Sequence, residues 1–426
     1  MKNLIILVFS FLLLGCAREK FQKITSTLDY EKYLVSNEIP SVLAALKELN
    51  FWQSRLIKDS LDLIALDKIT GLHGTLFALT GDVSNLYISE ELIKKSLDLS
   101  ARNKDSYLRS LAHNYITQHR FKEAKILLDS AYSFPDNKRA TELMLFDVSM
   151  ELGDYSKADE FLGKIKNNAD YNYLIRLSKW SDHKGNLDAA IRYMEEAKTI
   201  AESGGQLSLK VWTYSNIADY YCHAGQVQDA YEHYLMTLEL QPDNAYAKKG
   251  IAWIIYAAEK NTTEANRILD TVSKYHKAPD YFLLKAELAE FDENLSEVKT
   301  QEEKFIEALT LSDYGEMYNT YLIELYLKNN PQKALSLAKL EVKNRTTPET
   351  YQLLAYAQLM TGKKKEALAT IENYVAEKTF EPKATYITAL VYKANGRLDM
   401  LPELKVELED AAFELGPVLM REIENM

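Results

Sequence analysis

The sequence predicts an all-α solenoid, and three observations carry that prediction. The 426 residues hold only 15 Gly and 9 Pro, about half the share of an ordinary globular protein. A packing residue recurs along the chain at nearly constant spacing, which marks stacked helix pairs. No Pro- or Ser-rich linker interrupts the recurrence, so one continuous stack replaces the roughly three separate domains that this length would otherwise suggest. The same scarcity of Gly and Pro excludes sandwiches and propellers built on tight turns. Two cysteines are too few for a disulfide scaffold or a four-cysteine zinc site. A net charge of −11 argues against a nucleic-acid binder, whose footprint is a basic face.

Residues 1–15 stand apart from the fold. Lys2 gives a positive start, and Leu4 to Leu14 is almost unbroken apolar sequence. That run is too short to span a bilayer, which takes about 20 apolar residues, and it fits the apolar core of a signal peptide. Leu13-Leu14-Gly15-Cys16 resembles the lipobox of bacterial lipoproteins. The resemblance implies cleavage before Cys16 and a lipid on its sulfur, with further acyl chains making the anchor durable. Ala17 rather than Asp after Cys16 implies, by resemblance to envelope sorting rules, the outer membrane of a Gram-negative envelope, on its periplasmic or its surface face. Residues 16–27 then read as a lipidated tether.

Residues 28–104 read as an N-terminal helical region. Leu28 to Asp67 carries one or two amphipathic helix pairs. Gly71 to Ser100 reads as a divergent first repeat, with Gly74 as its close-contact residue.

Residues 105–403 read as tandem repeats. The clearest unit is Val211 to Asn244, 34 residues long. Tyr214, Ile217, Ala218 and Tyr221 share one helical face, Gly225 marks a turn, and Ala230, Tyr234 and Thr237 form a face on a second helix that Pro242 closes. Small Ala218 and Ala230 sit where the two helices touch, and the large residues fill the grooves around them. The same register places first-helix anchors at Ala112, Phe146, Ser178, Ala218, Ala252, Ala286, Leu322, Ala355 and Ala389, at intervals of 34, 32, 40, 34, 34, 36, 33 and 34 residues. Second-helix small residues follow at Ala124, Ala158, Ala190, Ala230, Ala265, Ala334 and Ala367. The 40-residue interval reads as a lengthened helix with an extended turn over Ile200 to Gln206. The 36-residue interval reads as an insertion near Asn294 to Gln301. Residues 404–426 read as a capping helix over the last unit's apolar face, broken at Gly416-Pro417.

These units resemble the tetratricopeptide repeat. The resemblance implies a right-handed superhelix of about nine helix pairs, with first helices lining a concave groove. The groove face then falls at positions 2, 5, 6, 9, 12 and 13 of each unit. It gives Arg109, His113, Arg176, Lys179 and His183 early, Asn216, Asp219, His223, Lys249, Trp253 and Tyr256 in the middle, and Asn319, Tyr326, Gln352, Tyr356 and Tyr386 late. Aromatics, amides and a few cations suit an extended peptide. The two-cation carboxylate clamp of chaperone-binding relatives is not present: of its places only Lys179 and Asn216 hold suitable residue types.

Catalytic signatures are missing. Seven scattered histidines show no HExxH spacing, and no Cys/His cluster offers a zinc site. Cys222 and His223 are helix neighbours about 100° apart, so they do not face each other. There is no GxSxG and no phosphate loop. The expectation is a non-enzymatic, membrane-anchored scaffold without cofactor or metal. It would bind a protein or peptide segment of an envelope partner, touch the membrane through Cys16, and bind no nucleic acid. The competing expectation is a nutrient-binding, SusD-like lipoprotein that holds glycans beside an outer-membrane transporter.

Overall fold

The computed structural model describes residues 23–35, 39–58 and 61–426. The expected signal peptide and Cys16 lie outside the described residues. Within them all regular structure is helical. An N-terminal set comprises α1 (Thr27–Val35), α2 (Pro40–Lys58), α3 (Leu63–Thr80) and α4 (Ser84–Leu99). Antiparallel pairs follow: α5 (Lys104–Thr117) with α6 (Phe121–Tyr132), α7 (Lys138–Leu152) with α8 (Tyr155–Lys164), and α9 (Tyr171–His183) with α10 (Leu187–Gly204). Next come α11 (Leu207–His223) with α12 (Val227–Leu240), α13 (Ala245–Ala257) with α14 (Thr262–Val272), and α15 (Asp280–Phe291) with α16 (Leu295–Leu311). The last pairs are α17 (Asn319–Asn329) with α18 (Pro331–Asn344) and α19 (Pro348–Met360) with α20 (Lys364–Tyr374). Then α21 (Pro382–Ala394), α22 (Leu401–Asp410) and α23 (Ala412–Glu424) close the chain. The fold is a tetratricopeptide-like α-solenoid.

Local sequence explains the starts. Asn186, Asn244, Asn261, Asn294 and Asn330 each accept a hydrogen bond from the third backbone amide of the helix they open, which satisfies a donor the helix itself cannot. Pro331, Pro348 and Pro382 occupy first-turn positions, where a missing N–H costs nothing. The packing register is equally direct. All seven second-helix alanines are fully buried, and every first-helix anchor is buried except Leu322. There the structure buries the next residue, Ile323, instead.

Several expectations are corrected. Gly74 makes no close approach, because a Cβ there would meet nothing within 4 Å. The stretch 200–206 is not an extended turn: α10 continues to Gly204, and only Gly205 and Gln206 separate it from α11. The insertion of the sixth unit is absorbed by a long α16 of 17 residues. The expected tether is partly docked. The amides of Ile24 and Thr25 donate to Glu259, Ser26 bonds Tyr231, and Tyr30 on α1 donates to Glu264.

The stack coils back on itself. Arg345 pairs with Glu151 at 3.0 Å across 194 residues, and Lys277 bonds Asp82 across 195. Gly81, Gly153 and Gly185, at the turns ending α3, α7 and α9, press against residues 276–278, Thr346 and Phe380 of the following coil. These three turns within helix pairs of one coil therefore seat on turns between pairs of the next.

Candidate functional site

First helices α11, α13, α15, α17, α19 and α21 form a concave wall, and α23 lies against it. Between wall and helix is a cavity of about 730 Å³. The terminal helix therefore does more than cap the last unit. It packs on α21 and α22, as expected of a cap, and also crosses to α11, α13 and α15. Gly416 takes φ 78°, ψ 164°, which breaks the helix. That kink lets the backbone touch the Trp253 indole and the Glu287 carboxylate, where a Cβ would lie 2.8 and 2.9 Å away.

Polar contacts pin both ends of α23. Glu414 meets His223 at 3.1 Å, Tyr386 donates to Glu422 at 2.6 Å, and Arg421 donates to the Phe291 carbonyl. Partial burial works against a charged His223, but Glu414, backed by Asp182 and Glu381, outweighs it and raises the ring to about 9. Burial, with Glu414 beside it, pushes Glu381 up to about 7.

The wall itself is a set of tyrosine–carboxylate and lysine–carboxylate contacts. Asp219 accepts from Tyr234 at 2.6 Å and from Tyr246, and burial raises its pKa. Lys249 is locked to Asp280; this pairing overcomes the cost of burial and keeps the ammonium charged. Glu287 accepts from Tyr256 at 3.1 Å and is pushed up to about 7 by burial. A neighbouring cavity of about 510 Å³ lies beyond His223. Its wall includes Lys179, paired with Glu151 at 2.8 Å, and His183, packed on Tyr155 with ring centroids 4.1 Å apart.

Of the ten residues the sequence nominates, Asp219, His223, Lys249, Trp253 and Tyr356 line the larger cavity. Lys179, His183 and again His223 line the smaller one. Three lie elsewhere. Asn216 donates to the Trp212 carbonyl of its own helix. Tyr256 is fully buried between Trp253 and Phe291, because its position faces the next first helix rather than the groove. Asn319 is buried against Glu341 of α18. Sequence reasoning missed Asp280, Glu287 and Glu290, although they stand at positions 2, 9 and 12 of the sixth unit. Applying the register there would have found them. It placed the terminal helix over the last unit but missed its crossing to α11, α13 and α15, for which the periodic pattern holds no signal.

Burial, with Asp219 adding to it, pushes the Cys222 thiol up to about 12, so no thiolate forms at neutral pH, and His223 is committed to Glu414. Among the described residues no group of His, Cys, Asp and Glu could hold a metal ion. No helix among them is long and apolar enough to cross a membrane.

No protein-family model and no curated protein matches the chain. Solved structures with a similar course include the yeast Tom70, 14% identical with a TM-score of 0.40, covering 93% of each chain. Another is a signal-transduction ATPase with a tetratricopeptide repeat sensor from Pyrococcus horikoshii. It is 15% identical, with a TM-score of 0.38, over 87% of this chain and 56% of that one.

Proposed function

We propose that the chain is a non-enzymatic scaffold, held by lipid on Cys16 at the outer membrane of a bacterial envelope, that grips a segment of a partner envelope protein in its concave groove. One observation carries this reading: the groove already holds a polypeptide helix, since α23 lies across α11, α13 and α15. The wall offers such a segment aromatic faces at Trp253, Tyr356 and Tyr386 and preformed polar partners at His223 and Lys249. Preformed partners bind without the entropic cost of ordering them. Residues 24–26 are pinned on Glu259 and Tyr231, beside the second helices and away from the groove.

The test is site-specific photocrosslinking in native membranes. A crosslinker at Tyr246, on the groove rim, is expected to give a discrete adduct that Trp253→Ala plus Lys249→Ala removes. The same adducts from a crosslinker at Ile126, exposed on α6, would overturn the groove assignment. Incorporation of labelled palmitate is expected to vanish in Cys16→Ala, and retained label would refute the anchor. The aromatic cavity of about 730 Å³ also suits a glycan. Calorimetric titration with oligosaccharides tests that second reading, and saturable heat abolished by Trp253→Ala would favour it.

A further inference from the structure

We infer that the segment this groove receives is an amphipathic α-helix that takes the place of α23, for which α23 is a built-in stand-in. The inference rests on the groove reading above and names the conformation and chemistry of the partner.

The contacts that hold α23 are of a kind another helix can offer. A carboxylate at Glu414 meets His223, a second at Glu422, eight residues on, accepts from Tyr386, and apolar Leu415, Val418 and Leu419 face the cavity between them. A carboxylate at each end with apolar side chains between them, carried on two helical segments that meet at Gly416, is therefore the pattern the wall reads.

The fit of α23 is also incomplete. A solvent-open cleft of about 730 Å³ remains between α23 and the wall. A partner segment that keeps the small-residue kink and carries larger side chains on either side of it fills more of that space. The preceding α22 fully buries only Leu408, while Leu415 and Ile423 of α23 join it in one apolar cluster with α19, α20 and α21. Leaving the groove uncovers the apolar end of α21, which the incoming helix covers instead.

The test uses the full chain in detergent and a fluorescein-labelled peptide of residues 411–426. Gly416→Val leaves the wall intact but puts side-chain atoms against Trp253 and Glu287. Glu414→Arg is a second variant, which opposes His223 with a like charge. Hydrogen exchange is expected to show α23 losing protection in both variants while α5 to α21 keep theirs. The wild-type peptide is expected to bind both variants at least tenfold more tightly than it binds the wild-type chain. The peptide carrying Gly416→Val is expected not to bind. Equal peptide affinity for wild type and for a variant with exposed α23 would overturn the inference. So would α23 remaining protected in both variants, which would make it an integral part of the core. Tyr246 crosslinks to a partner alongside unchanged peptide affinity would sink the stand-in and leave the groove reading standing. Peptide binding without any partner crosslink would do the reverse.

Discussion

Gly153 at the end of α7 lies so close to Thr346 that a Cβ built on it would sit 2.2 Å from the Thr346 carbonyl oxygen. This contact joins two coils of the solenoid far apart in sequence, and it depends on an atom that is absent. Gly153 also holds φ at 75°, while Gly362 holds a similar φ of 80° with nothing near it. The pair separates two costs. Gly362→Ala is expected to lose about 1 kcal/mol for left-handed backbone alone. Gly153→Ala is expected to lose about 2 kcal/mol more, because a backbone carbonyl must move. Gly185→Ala should fall between them, since it meets the exposed Phe380 ring, which can swing away. Urea denaturation of the three variants checks the order, and equal losses would mean that the coil contact contributes nothing.

The seat of α23 should loosen as pH rises. Asp182, Glu381 and Glu414 face His223 and raise its pKa to about 9. The stabilisation is then complete below the ordinary histidine range and is lost as pH climbs through about 9. Glu381 is raised to about 7, so its contribution is present below the ordinary carboxylate range and fades as pH rises through about 7. Both act in one direction, and the steps belong to the cluster rather than to single residues. Emission from Trp253, isolated by subtracting a Trp253→Phe chain, should shift to the red in two stages. His223→Gln should remove the upper stage alone, and an unchanged upper stage would show that another group drives it.

Much of the stack was legible because small residues at helix crossings have no alternative. A large side chain at Ala190 or Ala265 would push the pair apart, so composition and spacing reveal the crossing. The seventh unit shows where this fails. With Leu322 and Ile323 side by side and no alanine in the first helix, the apolar pattern fits either residue, and the fold buries Ile323. Tyr256 and Asn319 were misplaced for a related reason. Helical position gives a side chain's direction, and the neighbour it meets is set by how adjacent units rotate. The occupation of the groove by α23 was invisible, because it depends on where the coil brings the chain end.

That register difference yields its own prediction. Ile323→Ala empties a fully buried site and is expected to cost about 2–4 kcal/mol. Leu322→Ala, at a half-buried site, should cost no more than about half as much. Chemical denaturation of both decides it, and the opposite order would return the packing register to Leu322.

The last prediction concerns Tyr256 and Glu287, whose hydrogen bond of 3.1 Å lies in the wall of the cavity. Burial raises Glu287 to about 7. At pH 5.5 the carboxyl is protonated in the folded protein, and losing the phenol removes a neutral hydrogen bond, about 0.5–1.5 kcal/mol. At pH 8.5 the carboxylate is charged and deprived of its tyrosine donor, and the loss should grow to about 1.5–3 kcal/mol. Tyr256→Phe is therefore expected to destabilise more at the higher pH. The same substitution in a Glu287→Gln background should show no such dependence, since an amide does not titrate there. If Tyr256→Phe costs the same at both pH values, Glu287 does not ionise within that range, and the polar wall that faces α23 carries one negative charge fewer than its carboxylates suggest.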